Sequence, residues 1–246
     1  MMETRILLQP AYLLHRAPFQ NTSFLVDFFT YDYGRIRAVA KGARREKSKY
    51  RSLFQPYQSL LISMSGRGEV KTVNGIETSL SAIVLKRERL FSGLYLNELL
   101  TRLLNNYQEH TVLYKNYQET LINLQSNQEI EVVLRRFELN LLAGLGYGIN
   151  LEEDAHSQLP IEPESNYRFT PDMGFELSDT DSRTNANPSV FSGRVLIALR
   201  KFELHDKAVA KSAKLLLRQA LTFHLGDKPI NSRALFSSFT SGLWPV

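Results

Sequence analysis

The apolar residues of this chain change their period once, near Leu85, and that change divides the molecule. Before it, short apolar runs at Ala11–His15 and Ser23–Phe29 are separated by turn formers. Gly34, following Tyr31-Asp32-Tyr33, supplies a turn residue that tolerates positive φ. Arg35-Ile36-Arg37-Ala38-Val39-Ala40 then alternates, so the two arginines share one face of an extended strand and Ile36, Ala38 and Ala40 the other. Leu60, Ile62 and Met64 alternate with Ser59, Ser63 and Ser65; Gly66-Arg67-Gly68 is a tight connection; Glu69–Val73 is a further strand ending near Asn74-Gly75. Five short strands in roughly 80 residues predict a small antiparallel barrel or sandwich.

After Leu85 the spacing is helical. Leu96, Leu99, Leu100 and Leu103 form one stripe, Leu113, Tyr117, Leu121 and Leu124 a second, and Ile130, Val133, Leu134, Phe137 and Leu141 a third, stopped by Gly144 and Gly146. Residues 151–193 are acidic and rich in Pro, Ser, Asn and Asp, and read as an irregular insertion. Helical spacing returns over 193–202 and 206–225, with a last short helix over Ser232–Phe239. The expected architecture is therefore α+β and multidomain: a β domain over 1–81, then a mainly helical domain over 82–246.

Charge is segregated along the chain. The net charge of +5 over 246 residues arises from +6 in 1–81, 0 in 82–150, −7 in 151–193 and +6 in 194–246. Arg35, Arg37, Lys41, Arg44, Arg45, Lys47, Lys49 and Arg51 face a single acid, Glu46, and Arg67 adds to the same domain. So basic a stretch attracts polyanions, nucleic acid above all, or serves only to keep a loop solvated. A small barrel with a basic face and nearby aromatics is how oligonucleotide-binding (OB) domains hold single strands. Tyr31, Tyr33, Tyr50 and Tyr57 either stack on bases or cap the barrel. Lys207, Lys211, Lys214 and Arg218 fall at i, i+4, i+7 and i+11, one stripe of a helix opposite Val209, Ala213, Leu216, Ala220 and Phe223. That stripe is a solvated face, an extension of the nucleic-acid surface, or a dock for an acidic partner. Arg135 and Arg136 lie in mid-helix, with Glu131 and Glu138 spaced to pair with Arg135.

Enzyme chemistry finds no support. There is no cysteine, which excludes disulfides, thiolate zinc sites and a cysteine nucleophile. The five histidines (His15, His110, His156, His205, His224) have no metal-ligand spacing, and Glu152-Glu153-Asp154 with His156 reads as a solvated acidic run. Gly144, Gly146 and Gly148 follow a helix rather than a strand, and no Walker sequence or nucleophile elbow is present. No cofactor is expected. No apolar run approaches about 18 residues, and the N-terminal residues lack the apolar core of a signal peptide, so a cytoplasmic protein with no membrane span is expected.

Five segments in order carry a family resemblance: GRIRAVAKGARR at 34–45, LFQPYQSLLISMSGRGEVKT at Leu53–Thr72, FSGLYLNELLTRLL at Phe91–Leu104, LRRFELNLLAGLGYGINL at Leu134–Leu151 and YRFTPDMGF at Tyr167–Phe175. The series resembles the RecO family of bacterial DNA repair and recombination mediators over most of the chain, with a looser match in the C-terminal third. The resemblance implies an N-terminal OB-fold β-barrel followed by a helical domain. It implies binding and annealing of single- and double-stranded DNA, with no bond-breaking activity. Its implied partners are RecR, in some pathways RecF, the acidic C-terminal tail of single-stranded DNA-binding protein (SSB), and indirectly the RecA recombinase. A monomer associated with the nucleoid is expected. Many relatives carry a four-cysteine zinc module after the GLGYG segment; this chain has Ala155 and His156 there and no thiols, so the metal is dropped. An apolar pocket rimmed by arginine suits the SSB tail, and Arg135 or Arg136, beside Leu134 and Phe137, is the first candidate, with the Lys207–Arg218 stripe competing. A scaffold for acidic proteins and an OB-fold RNA-binding factor are the alternatives.

Overall fold

The computed structural model describes residues 4–48, 50–179 and 189–240, with side chains as far as Phe236. The chain packs as two units, residues 1–127 with 229–246, and residues 128–228. The first unit thus takes in more than the β region, because two helices and the last helix pack with it.

Five strands build the β region: β1 (Thr4–Phe19), β2 (Ser23–Thr30), β3 (Gly34–Ala40), β4 (Ser59–Gly66) and β5 (Lys71–Thr78). They close on themselves in the order β1-β2-β3-β5-β4, with β4 pairing back to β1 and only β3–β5 parallel. Closure depends on β1, which is long enough to pair with β2 along one half and β4 along the other. Register shifts at Ile6/Gln9 and Leu13/His15 let it bend between the two. The sequence reveals only the middle of this strand because Pro10 and Pro18 interrupt the apolar run; both sit within it, opposite Leu61 and Phe24. Asn74-Gly75 is likewise no turn. It lies inside β5, where the register shifts opposite Ser63 and Met64.

The alternation of β3 is realised: Ile36, Ala38 and Ala40 are buried, and Arg35 and Arg37 lie on the other face. Ile6, Leu13, Val26, Phe28, Leu60, Ile62, Met64 and Ile76 fill the interior with them, and Ala43 and Phe54 from the β3–β4 loop belong to the same core. Gly34 is required: its φ is +62°, and a Cβ there would lie 1.7 Å from the Gln108 carbonyl oxygen.

Helices α1 (Glu88–Leu103) and α2 (Thr111–Gln125) cover part of the outer barrel surface. Tyr12 and Phe29 point outward there and meet Tyr114 and Tyr117 edge-on or tilted, at centroid distances of 5.3–6.1 Å. Buried Asn97 of α1 donates from Nδ2 to the carbonyls of Leu13 and Leu14 at the β1 bulge (3.3 and 3.1 Å) and accepts from the Tyr117 hydroxyl (2.5 Å). The last helix joins this unit through Glu98, whose two carboxylate oxygens accept from the backbone N–H groups of Asn231 and Ser232 at 2.8 Å.

The second unit holds α3 (Ile130–Gly144), β6 (Asn166–Thr170), β7 (Gly174–Ser178), β8 (Val190–Ser192), α4 (Gly193–Lys201) and α5 (Lys207–Leu225); α6 (Asn231–Thr240) is the returning helix. The irregular insertion expected at 151–193 is corrected here. Its second half forms a three-stranded sheet, β7-β6-β8, with Tyr167, Phe169, Phe175 and Phe191 buried. Asp154 organises the stretch before it. Its carboxylate accepts from the N–H groups of His156 (2.9 Å), Ser157 (2.7 Å) and Leu177 (2.6 Å), tying a loop to β7.

Candidate nucleic-acid interface

The outward face of β1–β3 carries one cross-strand row of ionisable side chains. His15, Asp27 and Arg37 are direct partners across three strands. Asp27 is almost wholly buried, its side chain 3% exposed, and it gathers the cations around it. Arg37 donates from Nε to Oδ1 (2.9 Å) and from Nη2 to Oδ2 (3.0 Å), a two-bond fork. Arg35 Nε lies 3.6 Å from Oδ1 and His15 Nδ1 3.9 Å from Oδ2. The hydrogen bonds that Arg37 donates to Asp27 raise its pKa above the usual guanidinium value.

Arg35 and Arg37 share a face but not an environment. The Arg35 guanidinium donates to the carbonyls of Thr101 and Leu104 at the C-terminus of α1, and burial lowers its pKa. Those carbonyls are the unsatisfied end of a helix and favour a cation. Arg35, expected on a DNA-binding surface, is therefore committed to holding α1 on the barrel. Arg37 remains 39% exposed.

The stretch after β3 is not a free loop. It winds through successive i→i+3 turns, with Ala43 N–H donating to Ala40, Arg45 to Gly42, Ser48 to Arg45 and Arg51 to Ser48. Buried Ala43 and Phe54 pin it to the core while Lys41, Arg44, Arg45, Lys47 and Arg51 stay exposed. Arg44 joins it to the β1–β2 turn, its N–H donating to the Thr22 carbonyl (2.9 Å) and its Nη1 to that of Gln20 (3.3 Å). Lys49 lies outside the described residues. Arg67 is exposed on the separate β4–β5 turn, with no described contact to this cluster.

Of the four tyrosines, three pack against the protein. Tyr57 is buried, donates to the Leu90 carbonyl (3.0 Å) and is pushed to high pKa by desolvation. Tyr31 stands edge-on to Tyr114 at 5.4 Å, and Tyr50 packs against the barrel core. Tyr33 is exposed. Sequence reasoning missed Asp27. Its signal was a lone acid inside the apolar run Ser23–Phe29, facing a strand with two arginines.

In the second unit, Arg135 is buried and paired with buried Glu138 at 2.7 Å and with Glu131 at 3.4 Å. Burial removes it from the tail-binding candidates. Arg136 is exposed, its guanidinium 4.8 Å from the Phe202 ring centroid. Lys207, Lys211, Lys214 and Arg218 are exposed along one side of α5, but Lys214 Nζ is 2.7 Å from Glu131. Phe223, placed by spacing opposite the cationic stripe with Ala213, Leu216 and Ala220, is exposed where those three are buried, and lies edge-on to His224. Among the described residues no three His, Asp or Glu side chains converge as metal ligands, and no helix is long and apolar enough to cross a membrane.

The chain thus has a β region followed by a helical region, and two family models match these parts in turn. Residues 2–82 match the family model described as Recombination protein O N terminal, and residues 85–234 the one described as Recombination protein O C terminal. A DNA repair protein RecO from Coxiella burnetii (strain RSA 331 / Henzerling II) is 40% identical over 234 residues, covering 95% of this chain and 99% of its own. Proteins of the same description from Actinobacillus pleuropneumoniae serotype 7 (39% identical, 92% of this chain and 93% of theirs) and Haemophilus influenzae strain 86-028NP (37%, 94% and 95%) are similar over nearly the same span. The chain belongs to the RecO family, and its role lies in DNA repair and recombination.

Proposed function

We propose that this protein is a DNA-binding recombination mediator and strand-annealing factor, and that its closed β region is an OB fold gripping the sugar–phosphate backbone. The observation that carries the reading is the loop after β3. Lys41, Arg44, Arg45, Lys47 and Arg51 project from a backbone pinned to the core, and no described acid pairs with them. The strand order β1-β2-β3-β5-β4 supports the OB assignment. Cations that meet phosphates screen repulsion between strands and leave base edges free to pair, which is what annealing requires. Single- and double-stranded DNA are the ligands, and the protein does no bond-breaking chemistry. The SSB tail docks at Arg136, with the exposed lysines of α5 as the competing dock. RecR, with RecF in some pathways, acts beside it to load RecA.

The test replaces Arg44, Arg45, Lys47 and Arg51 together by alanine and measures oligonucleotide affinity across a salt series. If all four meet a single strand, the log–log slope becomes shallower by about 2.8, at about 0.7 per phosphate. Circular dichroism stays unchanged. Unaltered affinity refutes the reading. Arg136→Ala is expected to weaken binding of an SSB tail peptide and to leave the DNA slope alone; equal tail affinity moves the dock to Lys207, Lys211 and Arg218.

A further inference from the structure

We infer that Asp27 is a positioning residue for nucleic-acid binding: it fixes Arg37 as an oriented contact on the open barrel face, so an acid inside a cationic surface strengthens the grip on a single strand. The inference rests on the proposed DNA-binding reading and adds a residue to it.

Proximity alone gives the opposite expectation. An acid within 4 Å of three basic side chains lowers the local positive potential and should weaken a polyanion's binding. The geometry gives Asp27 another role. Its carboxylate is buried and takes the Nε and one Nη2 hydrogen of Arg37 in a fork. An arginine has five N–H donors, so about three remain for a ligand, on the edge away from the carboxylate. A free arginine has several rotatable bonds to immobilise when it meets a phosphate or stacks on a base. Arg37 is already held. Arg35 cannot replace it, because its guanidinium is taken by the α1 carbonyls. His15, with a side chain 58% exposed, is the third basic neighbour and completes the row on β1. Tyr114 and Tyr117 cover this barrel face at Phe29, whereas His15 and Arg37, on either side of buried Asp27, keep exposed side chains.

The experiment measures labelled single-stranded oligonucleotide binding to the full chain across a salt series, for Asp27→Asn, Arg37→Lys, Arg37→Ala and the pair Asp27→Asn/Arg37→Ala. Positioning predicts that Asp27→Asn weakens binding about tenfold, as expected for one oriented charged contact, with a slope shallower by about 0.7. Arg37→Lys keeps the charge and loses a similar factor, because an ammonium cannot make the fork. In the Arg37→Ala background Asp27→Asn has no further effect. Tighter binding by Asp27→Asn with a steeper slope overturns the inference, as does an equal loss in both backgrounds, which marks a purely structural acid. If Asp27→Asn does not fold, Arg37→Lys decides: unchanged affinity overturns the inference and a tenfold loss supports it. A parent protein with no DNA affinity refutes the proposed function itself, a separate outcome from any of these.

Discussion

Replacing Asn97 by leucine tests how the helices are held on the barrel. Asn97 is buried and makes three hydrogen bonds, two to the carbonyls at the β1 bulge and one from the Tyr117 hydroxyl. The register shift between Leu13 and His15 interrupts the ladder at that point, so the amide satisfies backbone groups that the sheet leaves exposed to the interior. Leucine has the same branching at Cγ, is somewhat larger and has no polar atom. Three partner groups lose their bond, each near the low end of about 1–3 kcal/mol for an unsatisfied buried group, for about 3–5 kcal/mol together, and the apolar gain of leucine offsets about 1 kcal/mol. The net expectation is a loss of about 2–4 kcal/mol, or roughly 5–15 °C in Tm at about 2–4 °C per kcal/mol for a chain of this size. Tyr117→Phe costs less, about 1–2 kcal/mol, because it removes the bond to Asn97 and leaves the Asn97 amide bonded to both carbonyls. The double variant loses less than the sum, by about 1 kcal/mol, since both changes delete the same bond. Calorimetry and urea unfolding read these values. A cost below about 1 kcal/mol for Asn97→Leu, or strict additivity in the double variant, refutes the clamp.

Two predictions concern the second unit. Burial alone would raise the pKa of Asp154, but the backbone N–H groups of Ser157, Leu177 and His156 outweigh it and hold the carboxylate below its usual value. A carboxylate with a depressed folded-state pKa contributes stability that is fully present above its ordinary, unfolded value and is lost as pH falls through the lower folded value. Urea midpoints between pH 6 and 3 are expected to fall more steeply in the parent than in Asp154→Asn; parallel curves sink the assignment. Arg135→Met leaves Glu138 buried without its guanidinium and costs about 3–5 kcal/mol, while Arg135→Met/Glu138→Leu recovers most of it. A neutral Arg135→Met in urea unfolding contradicts the buried pair.

How much of this was legible in the sequence depends on the range of the interaction responsible. The alternation of β3 and the helical stripes at Leu96–Leu103 and Val133–Leu141 could be read directly, because a backbone period repeats within a few residues. The sheet at 166–192 could not. Its strands have three to five residues amid turn formers, and β8 joins β6 from beyond a connection the composition marks as loop. The basic loop was visible as composition, whereas its pinning by Ala43 and Phe54 was not.

The amino-acid order determined where the chain extends, where it coils and where positive charge accumulates, since each of these is a property of neighbours along the backbone. Tertiary structure decided which charges face solvent. Arg35 and Arg37 are two residues apart on one strand face, yet one is capped by a helix end 66 and 69 residues on and the other by an acid on the adjacent strand. Arg135 and Arg136 diverge in the same way, into a buried pair and onto an exposed ring. The free energy of a guanidinium depends on what lies within a few ångströms of it, and those groups are set by folding rather than by adjacency.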